Sequence, residues 1–266
     1  MLKRGVLDLV IAAALWGSIG IAVQLGLNDG GSVFQMIFFR SLTASLLSLP
    51  FIKRIIRLKA VLMGIIAVIF YETYVFTVSI LGASLSAIFL YTAPLWVLVF
   101  SKFTNDKVTI RKIISSTLAI IGVYLLYLTN IILGDIFWGL MSGLTYALLI
   151  VYSRYMQKEF KDNEIIASQS IWSLPIAFSL MILYDPSVTL PSLLSGIYLG
   201  LVATFLAYYF FYRGMRSTDS IIASVVTSLE PVFTIIFAMI LLHQFLSPLQ
   251  FLGALLILLS AILISL

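Results

Sequence analysis

Three ionisable side chains stand where the sequence is otherwise apolar. Glu230 lies in SLEPVF, inside the run 220–242, whose other residues carry no charge. Glu72 lies in FYETYVF and Arg40 in IFFRSL. A carboxyl group in such surroundings can exchange protons or meet an ammonium group. Two carboxyl groups facing one another could do acid–base chemistry, and Glu72 with Glu230 is the pair available. Arg40 can meet a carboxylate, either on another helix, as a structural tie, or on a bound solute. One arginine and one glutamate in a shared cavity would suit a zwitterionic amino acid. Glu230 also precedes Pro231, which has no N–H and clashes with the carbonyl of Thr227; Pro94 in YTAPLW does the same to Leu90.

The elements that hold these residues follow from composition. The chain has 266 residues, 62% hydrophobic and 10% charged, where a soluble domain carries about 25% charged residues. Its mean hydropathy is +1.14. Lipid is the natural solvent. A span needs about 20 apolar residues. Ten candidates result: 6–27, 33–52, 60–80, 83–102, 110–129, 134–155, 165–184, 192–212, 220–242 and 248–266. The first reads as a span rather than a cleaved leader, because its apolar run continues to Leu27. Turn residues separate the runs, including NDGGS after the first, LGAS at 81–84 and DPSVTLPS before the eighth. Ser247 and Pro248 read as an N-cap followed by proline in the first turn.

Every lysine and arginine except Arg40 falls in loops on one side of these spans. Basic residues mark the cytoplasmic side, so both termini are expected there. The net charge of +5 is thus a membrane signal, and no nucleic-acid partner is implied. The expected fold is an all-α integral membrane protein. Its ten helices form two five-helix repeats, 1–130 and 131–266. Trp16 matches Tyr146 in position, Tyr71 matches Tyr208, and Pro94 matches Pro231. Five is odd, so the second repeat inserts upside down, a pattern of many secondary transporters. Pro94 and Pro231 both fall near the bilayer midplane. Helix breaks there, in matching places of inverted halves, point to a substrate site.

Other chemistries are excluded or demoted. No cysteine is present, so disulfides and thiolate sites are absent, and one histidine cannot make H-E-x-x-H. No metal or cofactor is expected, and no nucleotide-binding motif would drive transport with ATP. A channel or an intramembrane enzyme using Glu72 and Glu230 remains the alternative. A ring at any one position packs helices at least as often as it meets a solute. Trp138 reads as an interfacial anchor, GLMSG as a small-residue helix contact, and His243 as solvated.

The pattern resembles the drug/metabolite transporter superfamily, EamA type. ALWGS, FFRSLTASL, FLYTAPLW and the closing stretch from SLEPVF through LSPLQFLG carry the resemblance, which covers nearly the whole chain. It implies a plasma-membrane carrier, commonly an exporter of amino acids, related metabolites or drugs, with a central cavity between the halves. Trp16, Glu72, Tyr91, Tyr146, Tyr208 and Glu230 would lie on or near that cavity. A small-molecule substrate and the lipid bilayer are the implied partners. Protons are a candidate coupling ion, and a homo-oligomer stays open. Such proteins usually carry glutamate in the turn before the last span of each half; here Asp106 and Gln244 stand there. That acid is expected to cap a helix N-terminus, where a negative charge is favourable.

Overall fold

The computed structural model describes residues 2–126, 136–242 and 247–266; Ile131, His243 and Gln244 lie outside them. The described residues contain helices and no strand. Apart from short 3-10 helices at Leu49–Arg54 and Ser101–Phe103, these are in chain order α1 (Leu2–Gly17), α2 (Ile19–Asn28), α3 (Val33–Ser48), α4 (Leu58–Leu90), α5 (Ala93–Phe100), α6 (Ile110–Leu126) and α7 (Ile136–Met156). There follow α8 (Asp162–Ile171), α9 (Leu174–Tyr184), α10 (Leu190–Tyr198), a π-helix (Leu199–Leu206), α11 (Ala207–Ser217), α12 (Ser220–Thr227), α13 (Glu230–Leu242) and α14 (Pro248–Ser265).

Among the described residues, seven helical stretches are long and apolar enough to cross a membrane. The remaining expected spans are shorter for identifiable reasons. Those at 83–102 and 220–242 are each broken into two helices, and 110–129 runs into residues that are not described. α4 continues through 81–84, where a turn was expected, without losing its helical backbone. It nevertheless folds back. Thr77 Oγ1 donates to the Trp138 carbonyl at 3.0 Å, and Phe89 packs against Gly139, one residue along α7. A straight helix would hold Thr77 and Phe89 about 18 Å apart. The chain therefore reverses between them, antiparallel to α7 before the bend and parallel after it. Trp138, at the start of α7, is partly exposed and meets Phe76 edge-on.

The helices pack across the middle of the sequence. α1 lies against α11, α12 and α13, whereas α7 lies against α4 and α5. α3 packs on α8, α9 and α10, and α6 on α14. α3 approaches α10 and the π-helix closely. A Cβ on Gly200 would stand 2.7 Å from the Arg40 carbonyl and 2.6 Å from Thr43 Cβ, and one on Gly196 would stand 3.1 Å from the Met36 carbonyl. Glycine at both positions lets two backbones touch, as small residues do between membrane helices.

The two ends of the bundle differ in chemistry. All six ion pairs among the described residues join groups that lie toward the basic side. Asp8 is clasped by Arg213, Nε at 2.8 Å and Nη2 at 2.5 Å. Asp106 caps a helix N-terminus, and the helix is α12 rather than α6. Its carboxylate accepts the backbone N–H of Ser220 at 3.0 Å, at the start of α12, because the 104–109 turn lies against the other half. Ser247 does cap α14: its hydroxyl accepts Gln250 N–H at 3.3 Å, and Pro248 occupies the first turn.

At the opposite end hydrogen bonds, rather than ion pairs, join the described residues. Gln35 is fully buried. It accepts from Thr189 N–H at 3.0 Å and from the Thr189 hydroxyl at 3.1 Å, and donates to the Ser187 carbonyl. Hydrogen bonds from Ser32 and Ser187 hold the nearby Asp185 carboxyl below the usual carboxylate range. Replacing Gln35 by Ala leaves the Thr189 N–H unpaired. It is expected to destabilise the fold by about 1–3 kcal/mol, read as a lower melting temperature of the purified protein in detergent.

Candidate functional site

The site forms where the two broken spans meet. α4 ends at Leu90, Tyr91 and Thr92 turn, and Pro94 sits in the first turn of α5. α12 ends at Thr227, Ser228 and Leu229 turn, and Glu230 and Pro231 open α13. A proline in the first turn sacrifices no intrahelical bond, because the first N–H groups of a helix have no partner inside it. The Glu–Pro pair inside an apolar run therefore marks a helix start. It also puts the Glu230 carboxylate at a helix N-terminus, where the dipole favours negative charge.

Glu230 lines a small cavity together with Arg40, Trp16, Tyr146, Tyr208 and Tyr71. Its volume is about 30 Å³, room for a water molecule or two. A second space of about 60 Å³ shares Arg40, Ile19 and Tyr74 with it and continues past Leu27 and Val33, away from the basic side. The wall is aromatic. Tyr208 meets Trp16 edge-on, centroids 5.1 Å apart, and Tyr146 stacks on Phe70 at 4.9 Å. The Trp16 indole N–H donates to the Ala203 carbonyl at 2.8 Å.

Arg40 is 8% exposed. Its Nε donates to Thr204 Oγ1 at 2.7 Å, and its Cζ lies 4.0 Å from the centre of the Tyr71 ring. Among the described residues no carboxylate is within ion-pair distance of it; Glu230 acts on it only across the cavity. Tyr71 is fixed in turn, because Gln169 Nε2 donates to its hydroxyl and the Tyr212 hydroxyl donates to Gln169 Oε1 at 2.5 Å.

Five of the residues singled out from sequence, Trp16, Arg40, Tyr146, Tyr208 and Glu230, thus meet around one cavity. Tyr91 is buried beside Glu230, close enough to interact with its carboxylate without meeting hydrogen-bond geometry. Glu72 does not line this cavity; its Oε1 is buried with no hydrogen-bond partner among the described residues. Sequence reasoning missed Thr204, Ala203 and Gln169. Thr204 and Ala203 belong to the π-helix, a form that often marks functional sites and has no residue signature. The signal that could have found them is the Gly196/Gly200 spacing just before Thr204.

The profile of the EamA-like transporter family matches the chain twice, over residues 3–128 and 133–266. The chain belongs to the EamA-like transporter family. Two uncharacterized transporters of Archaeoglobus fulgidus are similar to this EamA-like protein. One is 26% identical over 86% of this chain and 84% of its own length, the other 28% identical over 98% and 85%. An uncharacterized inner membrane transporter of Salmonella typhimurium is 22% identical over 99% of this chain and 96% of its own. A solved crystal structure superposes with a TM-score of 0.82 at 15% identity, covering 98% of this chain and 96% of the other, so the two share a fold. The EamA-like protein is a multi-pass membrane transporter.

Proposed function

We propose that this EamA-like protein is a secondary carrier that moves small organic solutes, amino acids or related metabolites, through the cavity between Arg40 and Glu230. The observation that carries the reading is the cavity itself. It holds one buried cation and one carboxylate, contributed by opposite halves of the chain and lined with aromatic rings. The two halves are inverted five-helix repeats, ten spans in all, and alternating access comes from rocking of one half against the other. The twofold family match and the reciprocal packing of α1 and α7 support this. Both termini face the cytoplasm, the membrane is the plasma membrane, and the direction is export. The basic side of the bundle supports the orientation. Glu230 is the candidate proton carrier if flux is coupled to a pH gradient.

The cavity is too small for an amino acid as it stands, so solute entry requires helices to part. α2 is the candidate moving wall: it is separated from α1 by a turn at Ser18 and borders the second space. The reading is tested with purified protein in liposomes, offered pooled amino acids and small amphiphiles with and without a pH gradient. Saturable flux is expected. Folded protein that passes no member of the pool would remove the carrier reading, and a flux that never saturates would favour a channel.

A further inference from the structure

We propose that Arg40 is a carboxylate-binding subsite of the central cavity, and that Thr204 and Tyr71 are the positioning residues that aim its guanidinium. This deepens the reading of the cavity as a solute site and rests on it. Three observations carry it.

The first is that Arg40 is buried and its charge is not consumed by the protein. Among the described residues no carboxylate pairs with it. An arginine kept only to tie helices together would need such a partner to offset the loss of its hydration. Thr204 and the Tyr71 face solvate the cation without neutralising it.

The second is geometric. A guanidinium has five N–H donors in a rigid plane. Thr204 takes Nε, and the Tyr71 ring covers one face. The Nη edge opposite the side-chain stem is the part suited to two parallel hydrogen bonds from one planar acceptor. The supports are themselves held. Gln169 fixes the Tyr71 hydroxyl, and the contact of Gly200 with the Arg40 carbonyl sets the spacing between α3 and the π-helix that carries Thr204.

The third is charge. One guanidinium balances one negative charge, and Glu230 across the cavity opposes a second. A planar monoanion fits this balance. A phosphate group, at about −1.5 to −2 near neutral pH, does not. Glu230 in turn leaves the far end of the cavity suited to a cationic or hydrogen-donating part of the same solute.

The test is binding, read without transport, in purified wild-type protein in lipid nanodiscs. Each L-amino acid is compared with its amide, which lacks the carboxylate, and with its deaminated acid, which lacks the ammonium group. At least one amino acid is expected to bind saturably, with its amide about 10- to 100-fold weaker, the range for hydrogen bonds to a charged group. Arg40→Gln should remove that preference. If Arg40→Gln does not fold, Arg40→Lys keeps the charge without the planar fork and should shrink the preference. Thr204→Val should reduce the acid-to-amide ratio about tenfold, and Thr204→Ser should restore it. A merely structural role for Thr204 would weaken acid and amide alike. Amides binding as tightly as acids, a preference unchanged in Arg40→Lys and Thr204→Val, or no response to any carboxylate in folded wild type would overturn the proposal. Protein that binds carboxylates but passes no solute keeps this inference and loses the carrier reading. Protein that carries solutes lacking a carboxylate does the reverse.

Discussion

Glu230→Gln is expected to lower saturable solute flux in liposomes by about 10- to 100-fold, while Glu72→Gln leaves it within about twofold. The larger figure follows from the loss of a charge-assisted hydrogen bond to a solute in a desolvated site. Glu230 is the carboxylate of the cavity, opposite Arg40. Glutamine keeps its size, so the α13 start at Pro231 should survive. Glu72 lies at a comparable depth along the sequence but does not line that cavity. If coupling to protons runs through Glu230, the pH-gradient dependence should vanish in Glu230→Gln and persist in Glu72→Gln. Equal losses in the two variants would show that depth in the membrane matters and the cavity does not.

Gly200→Val should be strongly damaging. Its Cβ would meet the Arg40 carbonyl at 2.7 Å and Thr43 Cβ at 2.6 Å. A carbonyl inside a helix cannot yield as a flexible side chain does, so α3 and the π-helix must separate. Overpacking of this kind costs about 1–3 kcal/mol, and the separation would also pull Arg40 from Thr204. A lower melting temperature and a loss of carboxylate preference are both expected. Gly20→Ala is the control. A Cβ there meets nothing within 4 Å, and alanine in a helix is favoured over glycine by about 0.5–1 kcal/mol. That variant should melt no lower than wild type. If Gly200→Val melts like Gly20→Ala, α3 and the π-helix do not touch as described.

Much of this was legible in the residues. Apolar run length and the one-sided placement of Lys and Arg identify a membrane protein, because lipid and charge act on composition directly. SLEPVF and YTAPLW mark real helix starts, because proline without an N–H has few places to go. Depth along a span is countable from sequence at 1.5 Å per residue. Direction around the helix axis is not, when the helix is apolar on every face. Glu72 shows the consequence. It follows Tyr71, which lines the cavity, but one residue turns the side chain by about 100°, and no polar stripe on α4 reveals which face looks inward. A reversal was expected at 81–84, and the contacts of Thr77 and Phe89 with neighbouring residues of α7 place one between 77 and 89, within a segment whose backbone is helical. Asp106 caps a helix N-terminus as its charge suggests, but its place in the chain does not say which helix: it is α12, across the interface. Contacts between halves depend on how helices dock, and spacing within one helix does not encode that. The π-helix around Thr204 is hidden for the same reason.

Solute passage between Arg40 and Glu230 is tested most directly by a single thiol at Ile19, which borders both the central cavity and the space leading away from the basic side. The chain has no cysteine, so Ile19→Cys carries the sole reactive thiol. The modification rate by a membrane-impermeant maleimide, added from the side opposite the termini, would be measured with and without a transported solute. The predicted result is modification from that side, slowed in proportion to occupancy by the solute and no longer slowed in Glu230→Gln. Modification that a saturating transported solute leaves unchanged would contradict a solute path through this cavity.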